Sequence, residues 1–366
     1  MGGGRALNVG IIGYGKMGRI RKRVIDERDD CRVTWICDPI PSPVGCEFTT
    51  DPYELVRQPS LDAIFICTPN HLIKDLVIYG LDMGKHVFAE KPPGTSIVQV
   101  LDMMAAEKRN TGMKLKFGFN HRYHGSMIEA KRRVESGEYG KILWMRGRYG
   151  KSVDHDFLEN WRSQKKYAGG GILMDQGIHM LDLFLHFCDD FEEVKSFCSN
   201  LYWNLDVEDN TFAILKNSRG QVASIHSTMT QWRHLFSLEI FLERGYMVIN
   251  GILSASGKYG KEELTIALNR AIAPEARHTR EERYIYEIDA SWSDEIEEFM
   301  NAIKTDSEIV VGTTKDALKL MRIIEKIYED GFEQTGSHDT RSYGKQAGAE
   351  EEYAAAIGAT SDFLRD

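Results

Sequence analysis

The chain has 366 residues, 42% of them hydrophobic, and a formal net charge of −9 at pH 7. This length predicts about two domains with a sizeable core. An acidic balance without a lysine/arginine block argues against nucleic-acid and membrane-surface partners, and no apolar run approaches the roughly 20 residues that a membrane helix needs. The lack of a secretory-type apolar stretch at the start, and scattered cysteines without a CxxC pair, favour reduced thiols in the cytoplasm.

The first motif lies in the segment VGIIGYGKMG at residues 9–18. The apolar run LNVGII predicts a buried strand over 7–12, and the apolar spacing after the turn predicts a helix. A second apolar strand, CRVTWICD, ends on Asp38, 20 residues after the last glycine of the motif. The arrangement G-x-G-x-x-G between a strand and a helix, followed by a carboxylate at this distance, is typical of a dinucleotide-binding turn. Its glycines are Gly13, Gly15 and Gly18.

Each glycine has its own role in such a turn. Gly13 permits the tight bend, Gly15 lets the backbone approach a pyrophosphate, and Gly18 lets the helix pack closely on the strand. Unpaired N–H groups at the start of the helix then face the phosphates. The Asp38 carboxylate would bind the adenosine ribose and repel a 2′-phosphate, and the following PIPSPVG supplies no arginine or lysine. We therefore predict NAD as the cofactor, with NADP as the alternative. A doubly wound domain with a degenerate, empty site is the other interpretation.

Strands and helices continue to alternate along the first third of the chain. Further strands are predicted at 61–69, 85–92 and 114–124, with helices at 71–84 and 96–111. Strands separated by helices form a parallel sheet with right-handed crossovers. Residues 1–123 are therefore predicted to form an α/β Rossmann domain with a doubly wound parallel sheet.

The pattern changes after residue 123. Turn signals such as NSRG and ERGY separate longer strand-like runs, which favours hairpins and an antiparallel sheet. Helices are predicted at 126–137 and, from a strongly apolar run, at 172–188. We predict an α+β domain with an open, mostly antiparallel sheet over 124–330, followed by a polar, loosely held tail at 331–366.

The segment AEKPPG at residues 89–94 ends the fourth predicted strand. The carboxyl edge of an open α/β sheet is where such folds bind ligands. Glu90 and Lys91 are adjacent charges at that edge, and the two prolines restrict the backbone that follows. Lys91 is a candidate to bind a substrate hydroxyl and to lower the pKa of a neighbouring base. A surface ion pair at the strand end is the simpler alternative.

The segment GGGILMDQGIHMLDL at residues 169–183 holds the third motif. Asp175 and His179 are four residues apart, so on a helix they share one face. Histidine suits the proton transfer that accompanies hydride transfer, and a carboxylate one turn away can orient it. The alternative is an aspartate at a helix start with a hydrogen-bonded core histidine. With no third ligand evident, we predict no metal site.

Together with TPNH at 68–71, these motifs resemble the Gfo/Idh/MocA oxidoreductase family, whose namesakes include glucose–fructose oxidoreductase and inositol dehydrogenase. The resemblance extends over about 7–330. It implies that Lys91 is the catalytic lysine, His179 the catalytic histidine and Asp175 its acidic companion, and that the Lys91–Pro92 peptide is cis. It also implies a set of cofactor contacts, namely Gly13, Tyr14, Gly15, Lys16, Met17, Gly18, Asp38, Thr68, Pro69, Asn70, His71, Glu90, Lys91, Trp161 and Arg162.

The same resemblance implies hydride transfer between the nicotinamide cofactor and a secondary hydroxyl of a sugar, sugar acid, nucleotide-sugar or cyclitol. His179 would be the general acid/base and Lys91 would orient the hydroxyl. Candidate substrate-binding residues at strand ends and loops are Arg122, Lys151, His155, Trp232, Arg233 and His234. Their cationic character favours an acidic sugar or nucleotide-sugar, with myo-inositol or an aldose as the rival.

Two other classes of function stay open at this point. The first is a regulator that binds NAD(P) without catalysis, and the second is redox chemistry on another ring, such as a biliverdin-like or dihydrodiol substrate. The presence of both Lys91 and His179 favours polyol oxidation over both. The resemblance further implies a homodimer or homotetramer formed through the outer face of the second sheet.

Overall fold

The computed structural model describes residues 5–153, 155–254, 257–269 and 280–333. Within these residues the chain forms two sheets, one of six strands and one of eight, with helices packed on both. Residues 334–366, most of the predicted tail, lie outside the described part. No helix in the described residues combines the length and the apolar character needed to cross a membrane.

The first sheet is entirely parallel, in the order β3-β2-β1-β4-β5-β6. Its strands are β1 Leu7–Ile12, β2 Cys31–Cys37, β3 Glu47–Thr49, β4 Ala63–Ile66, β5 His86–Glu90 and β6 Leu115–Gly118. The helices between them are α1 Lys16–Asp26, α2 Pro52–Val56, α3 Ile73–Asp82 and α4 Ile97–Arg109. The strand order reverses direction between β1 and β4, which is the point where doubly wound sheets bind ligands. The predicted Rossmann fold is therefore confirmed.

Two parts of this first domain differ from the prediction. The short edge strand β3 and the one-turn helix α2 carry too few residues to show a periodic pattern. The last predicted strand ends at Gly118, and Asn120–Tyr123 forms a 3₁₀ turn instead. That turn is held by the Asn120 amide, which donates to Ser291 Oγ at 3.2 Å. The residues after β6 therefore turn toward the carboxyl edge of the sheet rather than extending it.

The second sheet is antiparallel except for one parallel pair, β7 with β10, in the order β14-β13-β12-β11-β7-β10-β9-β8. Its strands are β7 Ile142–Ser152, β8 Glu193–Ser199, β9 Asn210–Lys216, β10 Val222–Thr228, β11 Thr230–Leu242, β12 Gly245–Asn250, β13 Glu262–Leu268 and β14 Glu282–Tyr286. The associated helices are α5 Gly125–Glu135, α6 Lys165–Ala168, α7 Ile178–Cys188, α8 Ser291–Thr305 and α9 Thr314–Glu333. This arrangement confirms the predicted α+β class with a mostly antiparallel sheet.

Helix α7 is apolar on nearly every side because it is buried between the second sheet and α9. Helix α8 returns to the first sheet, where Ile296 and Phe299 share a core with Val9 and Phe88. Arg21 on α1 is fully buried there and forms ion pairs with Glu90 and Glu295, both at 2.7 Å. The C-terminal helices thus fix the two sheets side by side and leave a cavity between them.

Candidate active site

A cavity of about 940 Å³ lies at the carboxyl edge of the first sheet, against the end of β7. Most of the sequence-predicted site residues line it. From the predicted cofactor set these are Gly13, Gly15, Lys16, Met17, Asp38, Thr68, Pro69, Asn70, Glu90, Lys91, Trp161 and Arg162, and from the remaining set Asp175, His179, Lys151 and His234. The cavity therefore joins the dinucleotide-type turn to the two motifs further along the chain.

The glycine turn has the geometry that a bound pyrophosphate needs. Gly13 has φ +92°, a conformation that favours glycine, and a Cβ on Gly18 would lie 2.1 Å from Gly13 O. A Cβ on Gly15 would meet nothing within 4 Å, so the space above this residue is open. No side chain caps the start of α1 and no acidic residue lies in its first turn, so its N–H groups are free to bind an anion. The turn therefore fits NAD.

The Asp38 carboxylate is fixed by the backbone around it. One oxygen accepts the Tyr14 N–H at 2.7 Å and the other accepts the Ile40 N–H at 3.0 Å. Tyr14 contributes its backbone N–H to this contact. Its side chain packs against the core that contains Val9 and Phe88, and the Arg19 guanidinium lies over its ring. The carboxylate still lines the cavity, at the place where the ribose of a dinucleotide would bind.

The TPNH segment contributes differently along its length. Asn70 is buried and its amide donates to Ala168 O at 2.8 Å, which connects this loop to the glycine-rich segment before α7. His71 does not line the cavity. Its ring lies 4.8 Å from that of Tyr167, so the structure gives it a packing role behind the loop.

Glu90 and Lys91 point to different partners. Glu90 is buried and accepts a hydrogen bond from Arg21 Nε at 2.7 Å, so it does not form the surface ion pair that was the simpler alternative. The Lys91–Pro92 peptide is cis, as the resemblance implied. Lys91 Nζ donates to the backbone carbonyl of Asp175 at 2.5 Å and lies 3.6 Å from its carboxylate. Burial lowers the pKa of Lys91, and the Asp175 charge opposes that effect.

Three cations surround the Asp175 carboxylate. Lys151 Nζ lies 2.9 Å away, and Lys91 Nζ and Arg162 Nε each lie 3.6 Å away. Burial by itself raises the pKa of Asp175, but the three positive charges outweigh it and hold that pKa well below its usual range. Asp175 is therefore ionised, and its charge fixes the positions of Lys91 and Lys151.

His179 lies on the first turn of α7 and is almost completely buried. Its ring stacks on that of His121 with the centroids 3.7 Å apart, and its Nδ1 has no hydrogen-bond partner among the described residues. Burial and the nearby Lys91 charge lower the pKa of His179 well below that of a free histidine. The imidazole is therefore neutral near pH 7 and is able to accept a proton.

The segment before α7 is held by a buried carboxylate that the sequence did not reveal. Glu208 accepts the N–H groups of Gly171 at 2.8 Å and Leu173 at 3.0 Å, and the Tyr328 hydroxyl at 2.9 Å. A Cβ on Gly171 would lie 2.1 Å from Glu208 O, so only glycine fits this approach. The first turn of the predicted helix, Leu173–Gly177, is a π-turn, a feature frequent at functional sites.

The candidate substrate residues divide into two groups. Lys151 and His234 line the cavity. Arg122 does not, because it is buried in an ion pair with Asp182 at 2.6 Å, and His155, Trp232 and Arg233 also lie outside the lining. Trp232 is 57% exposed and packs against Tyr202, and the His155 ring packs against Trp203. The structure therefore does not bring these four to the site.

Sequence reasoning missed several residues of the lining. His121 Nε2 forms a hydrogen bond of 3.0 Å with Tyr149 OH, and Asn120 and Tyr259 line the same cavity. The signal was present in NHRYH, two imidazoles directly after a strand that ends at the same sheet edge as Lys91. Reading those residues as part of the strand hid it. The described residues contain no cluster suited to a metal ion.

Comparison with known proteins agrees with this geometry. Residues 7–119 match the oxidoreductase family with an NAD-binding Rossmann fold, and residues 127–248 match the GFO/IDH/MocA C-terminal domain. The chain therefore belongs to the GFO/IDH/MocA family of oxidoreductases, and its first domain is an NAD-binding domain.

Two dehydrogenases are among the relatives that are similar to this chain. Levoglucosan dehydrogenase of Pseudarthrobacter phenanthrenivorans is 26% identical over 55% of this chain and 58% of its own length. The scyllo-inositol 2-dehydrogenase (NAD(+)) of Bacillus subtilis is 29% identical over 47% of this chain and 51% of its own. The chain thus matches little more than half the length of these relatives. A solved structure of levoglucosan dehydrogenase with NADH and levoglucosan shares the fold, with TM-score 0.80 and 22% identity over 90% of this chain and 98% of the other.

The position of Asp38 predicts the choice between the two nicotinamide cofactors. Asp38→Asn keeps an oxygen for the Tyr14 N–H but removes the charge that repels a 2′-phosphate. We expect the ratio of the dissociation constants for NADP and NAD to fall by about tenfold, equivalent to about 1.4 kcal/mol. Titration of protein fluorescence with each reduced cofactor measures both constants. An unchanged ratio in the variant would contradict the role given to Asp38.

Proposed function

We propose that this protein oxidises a secondary hydroxyl of a sugar, sugar acid, nucleotide-sugar or cyclitol with NAD, and reduces the corresponding ketone in reverse. The observation that carries the proposal is the meeting of Lys91, Asp175 and His179 in one cavity with the glycine turn. Lys91 contacts Asp175 directly, and His179 follows one turn later on the same segment. A lysine, a carboxylate and a neutral histidine beside a nicotinamide site form the apparatus of an alcohol oxidation.

His179 is the general base of the forward reaction. The hydroxyl proton passes to its imidazole as the C–H bond breaks, and bound NAD supplies the hydride acceptor. Because burial and Lys91 keep the ring neutral near pH 7, it is ready to take the proton. In the reverse reaction the protonated ring returns the proton to the oxygen of the ketone.

Lys91 orients the reacting hydroxyl and stabilises the charge that develops on its oxygen. The Asp175 carbonyl and carboxylate fix the ammonium group on one side, which leaves its remaining N–H donors for the substrate. An ammonium group that is held in place before the reaction needs no rearrangement as charge develops. The Tyr149 hydroxyl fixes the His121 ring by a hydrogen bond, and the His121 ring in turn stacks on that of His179.

This assignment predicts that two substitutions stop turnover but not cofactor binding. We expect His179→Asn and Lys91→Met each to lower kcat by about 10²–10⁴-fold, because each removes a group that acts on the reacting hydroxyl. NADH should bind within about threefold of its original affinity, since the glycine turn is untouched. The NADH absorbance band, followed with a panel of cyclitols, aldoses, sugar acids and nucleotide-sugars, measures turnover.

His186→Asn is the matched control, because His186 lies on the same helix but outside the cavity. Turnover that survives in His179→Asn at the level of this control would sink the assignment. Silence of the unmodified protein across the whole panel, with NADH still bound, would favour a non-catalytic NAD-binding role.

We also propose that the outer face of the second sheet joins subunits into a homodimer or homotetramer. This face carries Phe197, Phe212 and Ile214, which are 61%, 50% and 56% exposed. Stacked pairs continue it across the sheet, with Phe212 on His226 at 3.9 Å and Trp144 on Phe241 at 4.1 Å. Exposed aromatic and aliphatic side chains on one sheet face, here on either side of the Arg146–Glu239 ion pair, are typical of a subunit interface.

Ile214→Lys should shift the assembly toward monomer, because it places a charge in the middle of that face. Sedimentation velocity at micromolar concentration measures the change. Val310→Lys is the control, since Val310 is 75% exposed on a loop away from the sheet. The proposal fails if the unmodified protein is monomeric or if both variants sediment alike.

A further inference from the structure

The catalytic end of the cavity contains more positive than negative charge. Asp175 supplies a single carboxylate, while Lys91, Lys151 and Arg162 supply three cations within 3.6 Å of it. One carboxylate balances one cation, so two positive charges stay uncompensated in a partly buried space. Such a space attracts an anion, because charges interact more strongly there than in water.

A further lysine and a neutral histidine face the same space. Lys258 and His234 line the cavity, and among the described residues Lys258 has no hydrogen bond or ion pair. Burial lowers the pKa of His234, and the charges of Lys258, Lys151 and Lys16 lower it further, so the ring is neutral near pH 7. Lys258, Lys151 and His234 therefore line one cavity.

The other carboxylates of the lining do not offset this charge. Glu90 shares the buried Arg21 with Glu295, and Asp38 is bound to backbone N–H groups at the end of β2. Asp75 lies 3.2 Å from Lys74 on α3. Asp156 and Lys258 are both exposed, so water and salt screen both of these charges. The three cations against one carboxylate therefore leave the immediate surroundings of Asp175 positively charged.

We propose that the substrate carries an anionic group, a carboxylate or a phosphate, and that Lys258 and Lys151, assisted by His234, bind it beside the reacting hydroxyl. This inference rests on the proposed function, which it narrows from polyols in general to acidic or phosphorylated ones. Lys151 uses one of its three N–H donors on Asp175 and keeps the others for the anion. Lys258 is the group assigned to the anion alone.

Binding of neutral and anionic sugars to the NADH-loaded protein tests directly whether the cavity prefers an anionic ligand. The probes are methyl α-glucopyranoside as the neutral reference, methyl glucuronide for the carboxylate arm and glucose 1-phosphate for the phosphate arm. We expect at least one anionic probe to bind about tenfold more tightly than the neutral one by calorimetry, and we expect 0.5 M salt to reduce that difference. The arm that binds more tightly identifies the anionic group.

Lys258→Met should lower the preference for the anionic over the neutral probe by about tenfold, and Lys258→Arg should restore most of it. Lys141→Met is the matched control, because Lys141 is an exposed lysine next to the opposite end of β7 from Lys151. Equal binding of neutral and anionic probes, or a preference that Lys258→Met leaves unchanged, overturns the inference.

Turnover of the same probes separates this inference from the proposed function. Oxidation of the neutral glycoside without any preference for an anion would keep the oxidoreductase proposal and reject the anionic substrate. Selective binding of an anion without NADH formation from any probe would support the anion site and count against the assigned chemistry.

Discussion

The buried ion cluster around Asp175 is the interaction on which the candidate site depends. Its three cations come from separate parts of the fold: Lys91 follows β5, Lys151 ends β7 and Arg162 lies in the loop between β7 and α7. Without the carboxylate, three cations would repel one another in a space with little water, where each unpaired charge costs several kcal/mol. The cluster therefore holds both sheets at the positions that the chemistry needs.

The position of Asp175 depends in turn on the backbone that carries it. Glu208 binds the N–H groups at the start of that segment, and the Asn70 amide binds the carbonyl of Ala168 just before it. Buried donors and acceptors that are all paired give a rigid segment. The same segment then places His179 against His121 in a buried position, and burial is the main cause of its lowered pKa.

Elements and motifs with a local or periodic sequence pattern could be predicted. Strands buried on both faces, such as Ala63–Ile66, appear as apolar runs, and the G-x-G-x-x-G turn with Asp38 has a fixed spacing. Short or half-exposed elements were missed, among them Glu47–Thr49 and Glu282–Tyr286, because they bury too few side chains to show a pattern. The Lys91 and His179 motifs were recognised from their order along the chain, and that order does not show which side chains contact these two residues. The role of Glu208 and the buried pairing of Arg122 with Asp182 depend on contacts between distant segments, so local spacing could not reveal them.

The central claim is that His179 transfers the proton and that Asp175 sets its electrostatic surroundings. The most direct test is the pH profile of kcat/KM for the unmodified protein and for Asp175→Asn. The Asp175 charge raises the pKa values of both His179 and Lys91 against the effect of burial. Asp175→Asn removes that charge and lowers both pKa values. The acid limb and the alkaline limb of the profile should therefore both move to lower pH. In the unmodified protein the acid limb should lie below 6.5, the usual pKa of histidine. An acid limb that stays in place or moves to higher pH in Asp175→Asn would contradict the account.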